Sequence, residues 1–218
     1  MNEPQTRDNY DGRVRSLPAG RTLALWVREM AAFIKAMDRR HLVATGEEGW
    51  RCSGAPGVGG ADFGWVNNGT KGACAEIHWA MPEVDLATVH VYASNWGFPA
   101  SAWHWLLPNF VADRALLAAQ LNKPILLEEY GSPYGYVPDR DALLAAYTAA
   151  AGAFDYVGAL LWQVFPWKTA NFAGAGYDFD YSRGGSASAL TLYDTFAAKS
   201  RLAAAVAAGA GGGTALAG

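Results

Sequence analysis

No run of eighteen apolar residues occurs in this chain of 218 residues, and a helix needs about twenty to cross a bilayer. A membrane-spanning helix is therefore not expected. Positive charge is also scarce: 17 lysines and arginines stand against 20 aspartates and glutamates, a formal net charge of −3. Nucleic acids and anionic membrane surfaces are bound through basic patches, so neither is an expected partner. Cysteine is nearly absent, with only Cys52 and Cys74 in glycine-rich surroundings. Such a pair forms a disulfide in an oxidising compartment or stays as two small buried thiols in a reducing one, and the sequence leaves both open. His41, His78 and His104 lack metal-ligand spacing to one another or to the cysteines, so no metal and no cofactor is expected. The opening Met1-Asn2-Glu3-Pro4 has no basic stretch leading into an apolar core, so it reads as no signal peptide.

Aromatic residues are abundant instead, with nine tryptophans and ten tyrosines. Cores use some of them, and sugar-binding clefts use others as platforms for the apolar faces of pyranose rings. Leu23, Trp26, Val27, Met30, Phe33, Ile34 and Met37 fall at helical spacing, followed by Arg39-Arg40-His41 with charge suited to a helix carboxyl end. Leu42 to Thr45 reads as a short buried strand closed by Gly46, and a loop-rich segment runs from Gly49 to Pro82. Further strands are expected at Leu86 to Tyr92, Ile125 to Tyr130 and Val157 to Phe165. Between them lie a helix from Phe110 to Leu121 and one capped by Asp139 and running to about Phe154. Tyr193, Phe196 and Leu202 mark a last helix, and residues 203–218 form an alanine- and glycine-rich tail expected to fray.

Helices alternating with continuous apolar strands imply an α/β fold with a parallel sheet covered on both faces. A doubly wound open sheet and a (β/α)₈ barrel compete. No glycine-rich phosphate loop follows any strand. Polar residues gather instead at successive strand carboxyl ends, namely Glu47-Glu48, His90 with Tyr92, Glu128-Glu129, and Trp162 with Gln163. Barrel active sites sit on that face, which favours the barrel.

Two of these carboxylates invite chemistry. A glycosidic bond is cleaved between two carboxyl groups, one protonating the leaving oxygen and the other attacking the anomeric carbon or activating water. Glu129 closes a strand that runs into Gly131, and Glu3 sits between Asn2 and Pro4. Either alone reads as a solvated strand-end charge; together with His90, Tyr92 and Trp162 they form the expected constellation. Glu128 precedes Glu129 on one strand, so its side chain should point to the opposite face and take no catalytic part.

The motifs Asn2-Glu3-Pro4, His90-x-Tyr92, Glu129-Tyr130-Gly131 and Trp162 resemble the ends of strands four, six, seven and eight in glycoside hydrolase family 5. Arg7-Asp8-Asn9-Tyr10, Gly46-Glu47-Glu48-Gly49, Asp62-Phe63 with Asn67, Ala87 to Tyr92 ahead of Trp96, and Leu126 to Gly131 look like the endo-β-1,4-mannanases of that family. The resemblance covers about residues 1 to 170. It implies a retaining (β/α)₈ glycosidase with Glu3 as acid/base and Glu129 as nucleophile. Asn2 would bond the C2 substituent, Tyr92 or His90 would orient a carboxylate, Trp162 would floor the reacting sugar's subsite, and Trp96 would line the cleft.

The substrate so implied is mannan, glucomannan or galactomannan, in an extracellular setting for the parent family. A β-1,4-glucanase and a non-catalytic barrel remnant are the alternatives. The family's first three strands have no counterpart here. Residues 1–202 are accordingly expected to be an incomplete barrel, from the end of strand four through strand and helix eight, that needs the missing amino-terminal half.

Overall fold

The structure, a computed structural model, describes residues 2–6, 20–165 and 179–180. The expected last helix and the tail at 203–218 lie outside these residues, as does the Arg7-Asp8-Asn9-Tyr10 motif.

The first apolar stripe becomes helix α1 (Arg21–Met37). It is seated by a narrow ridge, Leu23, Val27 and Ala31, packed on Val43 and Val84. Residues four apart share a helix face, and that ridge is the buried one. The broader stripe read from sequence is not all packed: Trp26, Phe33, Ile34 and Met37 stay exposed. The segment from Leu42 to Thr45 does not become a strand. It contributes a single bridge, Ala44 beside Leu86, and Leu42 is exposed. Asp85 accepts the Val43 N–H with its side chain at 2.7 Å, where a ladder partner would otherwise serve.

Short 3₁₀ turns and the four-residue helix α2 (Ala75–His78) occupy the glycine-rich segment. Strand β1 (Ala87–Val91) follows, then α3 (Trp103–Gln120), β2 (Ile125–Tyr130), α4 (Arg140–Ala153) and β3 (Gly158–Leu161). The three strands pair in parallel in the order β1-β2-β3. Parallel neighbours need crossover connections, and α3 and α4 supply them while packing on each other.

Two boundaries differ from the sequence reading. Helix α3 begins seven residues before Phe110 and carries Pro108 inside it. An interior proline removes a ladder hydrogen bond, which argues from sequence for a later start. Burial of Leu106, Leu107 and Phe110 on both sides of it, each worth about 1.5–3 kcal/mol, outweighs that cost. The expected strand from Val157 to Phe165 is divided into β3 and β4 (Val164–Phe165), the latter paired in parallel with β5 (Phe179–Asp180) in a separate two-stranded sheet. The Trp162–Gln163 peptide between them is cis.

One core joins sheet and helices. Val89, Val91 and Leu127 from the strands meet Leu106, Phe110, Leu117, Leu143 and Tyr147 from α3 and α4. All five residues of β1 are buried, as for a strand covered on both faces, whereas β3 is half-buried and ends the sheet among the described residues. Asp139 caps α4 as expected, its carboxylate accepting the Ala142 N–H at 2.9 Å.

Candidate active site

The carboxyl ends of β1 and β2 carry the polar cluster, and a slip in their pairing shapes it. Val89 pairs with Leu127, but His90 pairs with Glu129, so Glu128 is bypassed. Such a bulge cancels the alternation of faces. Glu128 therefore does not point away, as simple alternation predicts; its Oε2 lies 3.2 Å from His90 Nε2. On the other ring nitrogen, His90 Nδ1 lies 3.0 Å from Glu3 Oε1 and 3.7 Å from Glu129 Oε2. The Tyr92 hydroxyl donates to Glu129 Oε2 at 2.6 Å. One carboxylate oxygen each of Glu3 and Glu129 and a ring nitrogen of His90 lie within 4.8 Å of one another. Of the two partners expected to orient the carboxylates, Tyr92 takes Glu129 and His90 takes Glu3.

Glu3 reaches this cluster from a separate segment. Its N–H donates to Gly46 O at 2.7 Å, and Gly46 turns there with φ 64°, a conformation glycine adopts freely. Glu3 itself has φ 46°, uncommon for a residue with a side chain and worth about 1–3 kcal/mol of strain held by its surroundings. Two further ties fix the segment: Thr6 N–H to Lys71 O at 2.9 Å, and Gln5 Nε2 to Glu48 Oε1 at 3.1 Å.

The Glu47-Glu48 pair divides between two roles. Glu47 is fully buried. It accepts from Thr45 Oγ1 at 2.8 Å and pairs with His78 Nδ1 at 2.8 Å, while its N–H donates to Thr88 Oγ1. Burial would lower the His78 pKa, but the Glu47 carboxylate beside it outweighs burial and raises it. Glu48 turns the other way, into a cleft of roughly 540 Å³ lined by Glu3, Gln5, Trp50, Trp65, Lys71, Tyr92 and Trp96 among others. Gly49, with φ 74°, makes this turn: a Cβ there would sit 3.2 Å from both Trp79 and Val89.

Burial also works against a charged His90, yet hydrogen bonds to Glu128 and Glu3 and the field of Glu129 prevail and hold its pKa up to about 9. At neutral pH the ring is an imidazolium, which donates from both nitrogens and lets carboxyl groups crowd around it. The cluster can thus keep two carboxyl groups close together, one fixed by Tyr92 and one by His90, at the edge of an aromatic cleft.

Of the other expected site residues, Trp96 is buried and lines the cleft. Asn2 is exposed. Trp162 is 44% exposed at the end of β3, its N–H bonded to Tyr130 O, and is not among the residues lining the cleft. The sequence reading missed the wall formed by Trp50 and Trp65, whose rings meet edge to face at 4.8 Å; two tryptophans inside a glycine-rich loop were the available signal. Cys52 and Cys74 are joined in a disulfide, which pins the two ends of that loop.

A family model described as GH family 5 beta-mannosidase-like matches residues 1–165. Mannan endo-1,4-beta-mannosidase 7 of Arabidopsis thaliana is 32% identical over 207 residues, covering 85% of this chain and 43% of that protein. Mannan endo-1,4-beta-mannosidase 1 of Solanum lycopersicum is 28% identical over 185 residues, covering 79% and 42%. Among solved structures, the endo-1,4-beta-D-mannanase of Thermotoga petrophila superposes with a TM-score of 0.75 at 26% identity, over 89% of this chain and 54% of that one. The chain thus spans about half the length of the relatives it matches, and its α/β architecture is that of part of their barrel. On the match over residues 1–165, more than half its length, the chain belongs to glycoside hydrolase family 5, on its β-mannosidase-like side.

Proposed function

We propose that the barrel to which these residues belong hydrolyses β-1,4-mannosidic bonds in mannan, glucomannan or galactomannan with retention of configuration. The observation that carries this reading is the approach of Glu3, His90 and Glu129 within 4.8 Å. Retaining glycosidases hold their two carboxyl groups about 5–5.5 Å apart, and inverting ones farther. In this reading the end of barrel strand four presents Glu3, and β1, β2 and β3 are strands six, seven and eight. Glu129 attacks the anomeric carbon while Glu3 gives its proton to the leaving oxygen, and the bond to the departing sugar breaks. Glu3, now a carboxylate, takes a proton from water, whose oxygen displaces Glu129 from the mannosyl ester. Tyr92 holds the nucleophile, and protonated His90 holds Glu3 with Glu128 as its counter-ion. Asn2 serves the C2 substituent and Trp162 the reacting sugar's floor once substrate is bound.

The matched relatives bring about twice this length of chain, and the proposal includes their amino-terminal β/α units as a required complement. The Cys52–Cys74 disulfide supports an extracellular setting, since such bonds persist in oxidising compartments.

The roles are tested in the barrel completed by co-expression with the amino-terminal β/α units of a relative. Glu129→Ala should abolish reaction with every mannoside. Glu3→Ala should still be glycosylated by aryl mannosides with activated leaving groups, which need no proton, and should be accelerated by azide, which needs no base. Identical behaviour of the two variants toward activated and ordinary substrates would refute the assignment.

A further inference from the structure

We propose that the buried Glu47–His78 pair positions Glu3: it fixes the turn whose Gly46 carbonyl receives the Glu3 amide, and so sets where the proton donor stands. That Glu3 is the donor rests on the hydrolytic reading above. The tie between the pair and Glu3 is a matter of hydrogen bonds and stands apart from that reading. Neither Glu47 nor His78 lines the cleft, so both act through Glu3 and not on the sugar.

Every polar atom of Glu47 is engaged. Its Oε1 accepts from the Thr45 hydroxyl at 2.8 Å, and its Oε2 lies 2.8 Å from His78 Nδ1, with both side chains of that pair fully buried. The Thr88 hydroxyl on β1 accepts the Glu47 N–H at 3.1 Å and donates to the Glu47 carbonyl at 3.2 Å. Desolvating two ionisable groups consumes much of what their attraction returns. The worth of the pair then lies in where it holds the chain.

The Glu47 N–H and the Gly46 carbonyl belong to one planar peptide unit. Anchoring that N–H on Thr88 therefore aims the carbonyl, which accepts the Glu3 N–H at 2.7 Å. Thr88 stands two residues before His90, which holds the Glu3 carboxylate. Backbone and side chain of Glu3 are thus both referred to β1, and Glu3 needs such holding because its φ of 46° is strained. His78 is itself fixed: its N–H donates to Cys74 O at 3.0 Å at the start of α2, and Cys74 is bonded to Cys52.

The test is made in the completed barrel. His78→Leu leaves Glu47 buried without its partner and frees the Gly46 peptide to turn. A shift of about 1 Å can cost on the order of a hundredfold in rate, so kcat/KM for phenyl mannosides, which need a proton, should fall about a hundredfold. For dinitrophenyl mannosides, which need none, it should fall less than about threefold. His78→Asn, whose amide nitrogen takes the place of Nδ1, should recover most of the loss. The Glu3 amide should exchange with deuterium about tenfold faster in His78→Leu, with amides of α4 unchanged. Where His78→Leu fails to fold, as seen by circular dichroism, Thr45→Val removes one donor from Glu47 and decides by the same two readouts, with changes of about tenfold. Unchanged exchange at Glu3, or equal losses on both mannosides, overturns the positioning role. Faster exchange at Glu3 in a barrel that cleaves neither mannoside before substitution overturns the hydrolytic reading and keeps the tie.

Discussion

Removing the imidazolium at the centre of the carboxylate cluster tests the electrostatics of the site. His90 is fully buried between Glu3 and Glu128, 3.7 Å from Glu129, and its pKa is raised from 6.5 to about 9. A group whose pKa is raised on folding stabilises the folded state when protonated. The contribution is complete below pH 6.5 and is lost as pH rises through about 9. At about 1.4 kcal/mol per pKa unit, this shift corresponds to about 3 kcal/mol. His90→Gln keeps one donor and loses the charge. Urea unfolding of wild type and variant should therefore show a stability gap that shrinks by about 3 kcal/mol between about pH 6 and pH 10. With a urea slope of about 2 kcal/mol per molar, the gap in midpoints closes by about 1.5 M. The part of the Glu48 shift that burial and Glu3 impose, and the His78 shift, are common to both proteins and cancel in the difference. A gap that stays constant across this range would refute the reasoning, because it would mean that His90 carries no charge in the cluster.

Tyr92→Phe deletes the 2.6 Å hydrogen bond to Glu129. Bonds to charged groups are worth about 1.5–3 kcal/mol, so kcat/KM on aryl mannosides in the completed barrel should fall by up to about 10- to 150-fold, and the folded state, which makes the same bond, should lose up to the same energy in unfolding. The chain alone should elute in size-exclusion chromatography as a dimer or larger. Val157, Leu160 and Trp162 on and beside β3, together with Phe33 and Met37 on α1, are exposed apolar surface, and β3 has a partner strand of its sheet only on its β2 side among the described residues. Co-expression with the amino-terminal β/α units should yield a complex with measurable activity.

Sequence patterns revealed those parts of the fold that depend on local chemistry. The apolar run ending at Gly131 gives β2 from Ile125 to Tyr130, and Asp139 caps α4 because its carboxylate reaches an amide three residues on. His90 on β1 and Tyr92 just beyond its end, two residues apart, reach Glu3 and Glu129 in turn. What stayed hidden was set by tertiary packing. The direction of Glu128 depends on a bulge between β1 and β2, which strand alternation within one segment does not reveal. Leu42 to Thr45 has the composition of a strand but finds only one bridging partner. The early start of α3 requires knowing that Leu106 and Leu107 are buried. Glu48 looked like the second half of an acidic doublet. Its separation from Glu47, one facing His78 and the other the cleft, follows from the two left-handed glycines that flank them.

The central claim is that Glu3 and Glu129 act as a retaining pair. Its most direct test is the anomeric configuration of the first product formed. Mannopentaose hydrolysed by the completed barrel, followed by proton NMR before mutarotation, should show the new reducing end appearing as the β-anomer. First appearance of the α-anomer would contradict the account, because it would require water rather than Glu129 to attack the anomeric carbon.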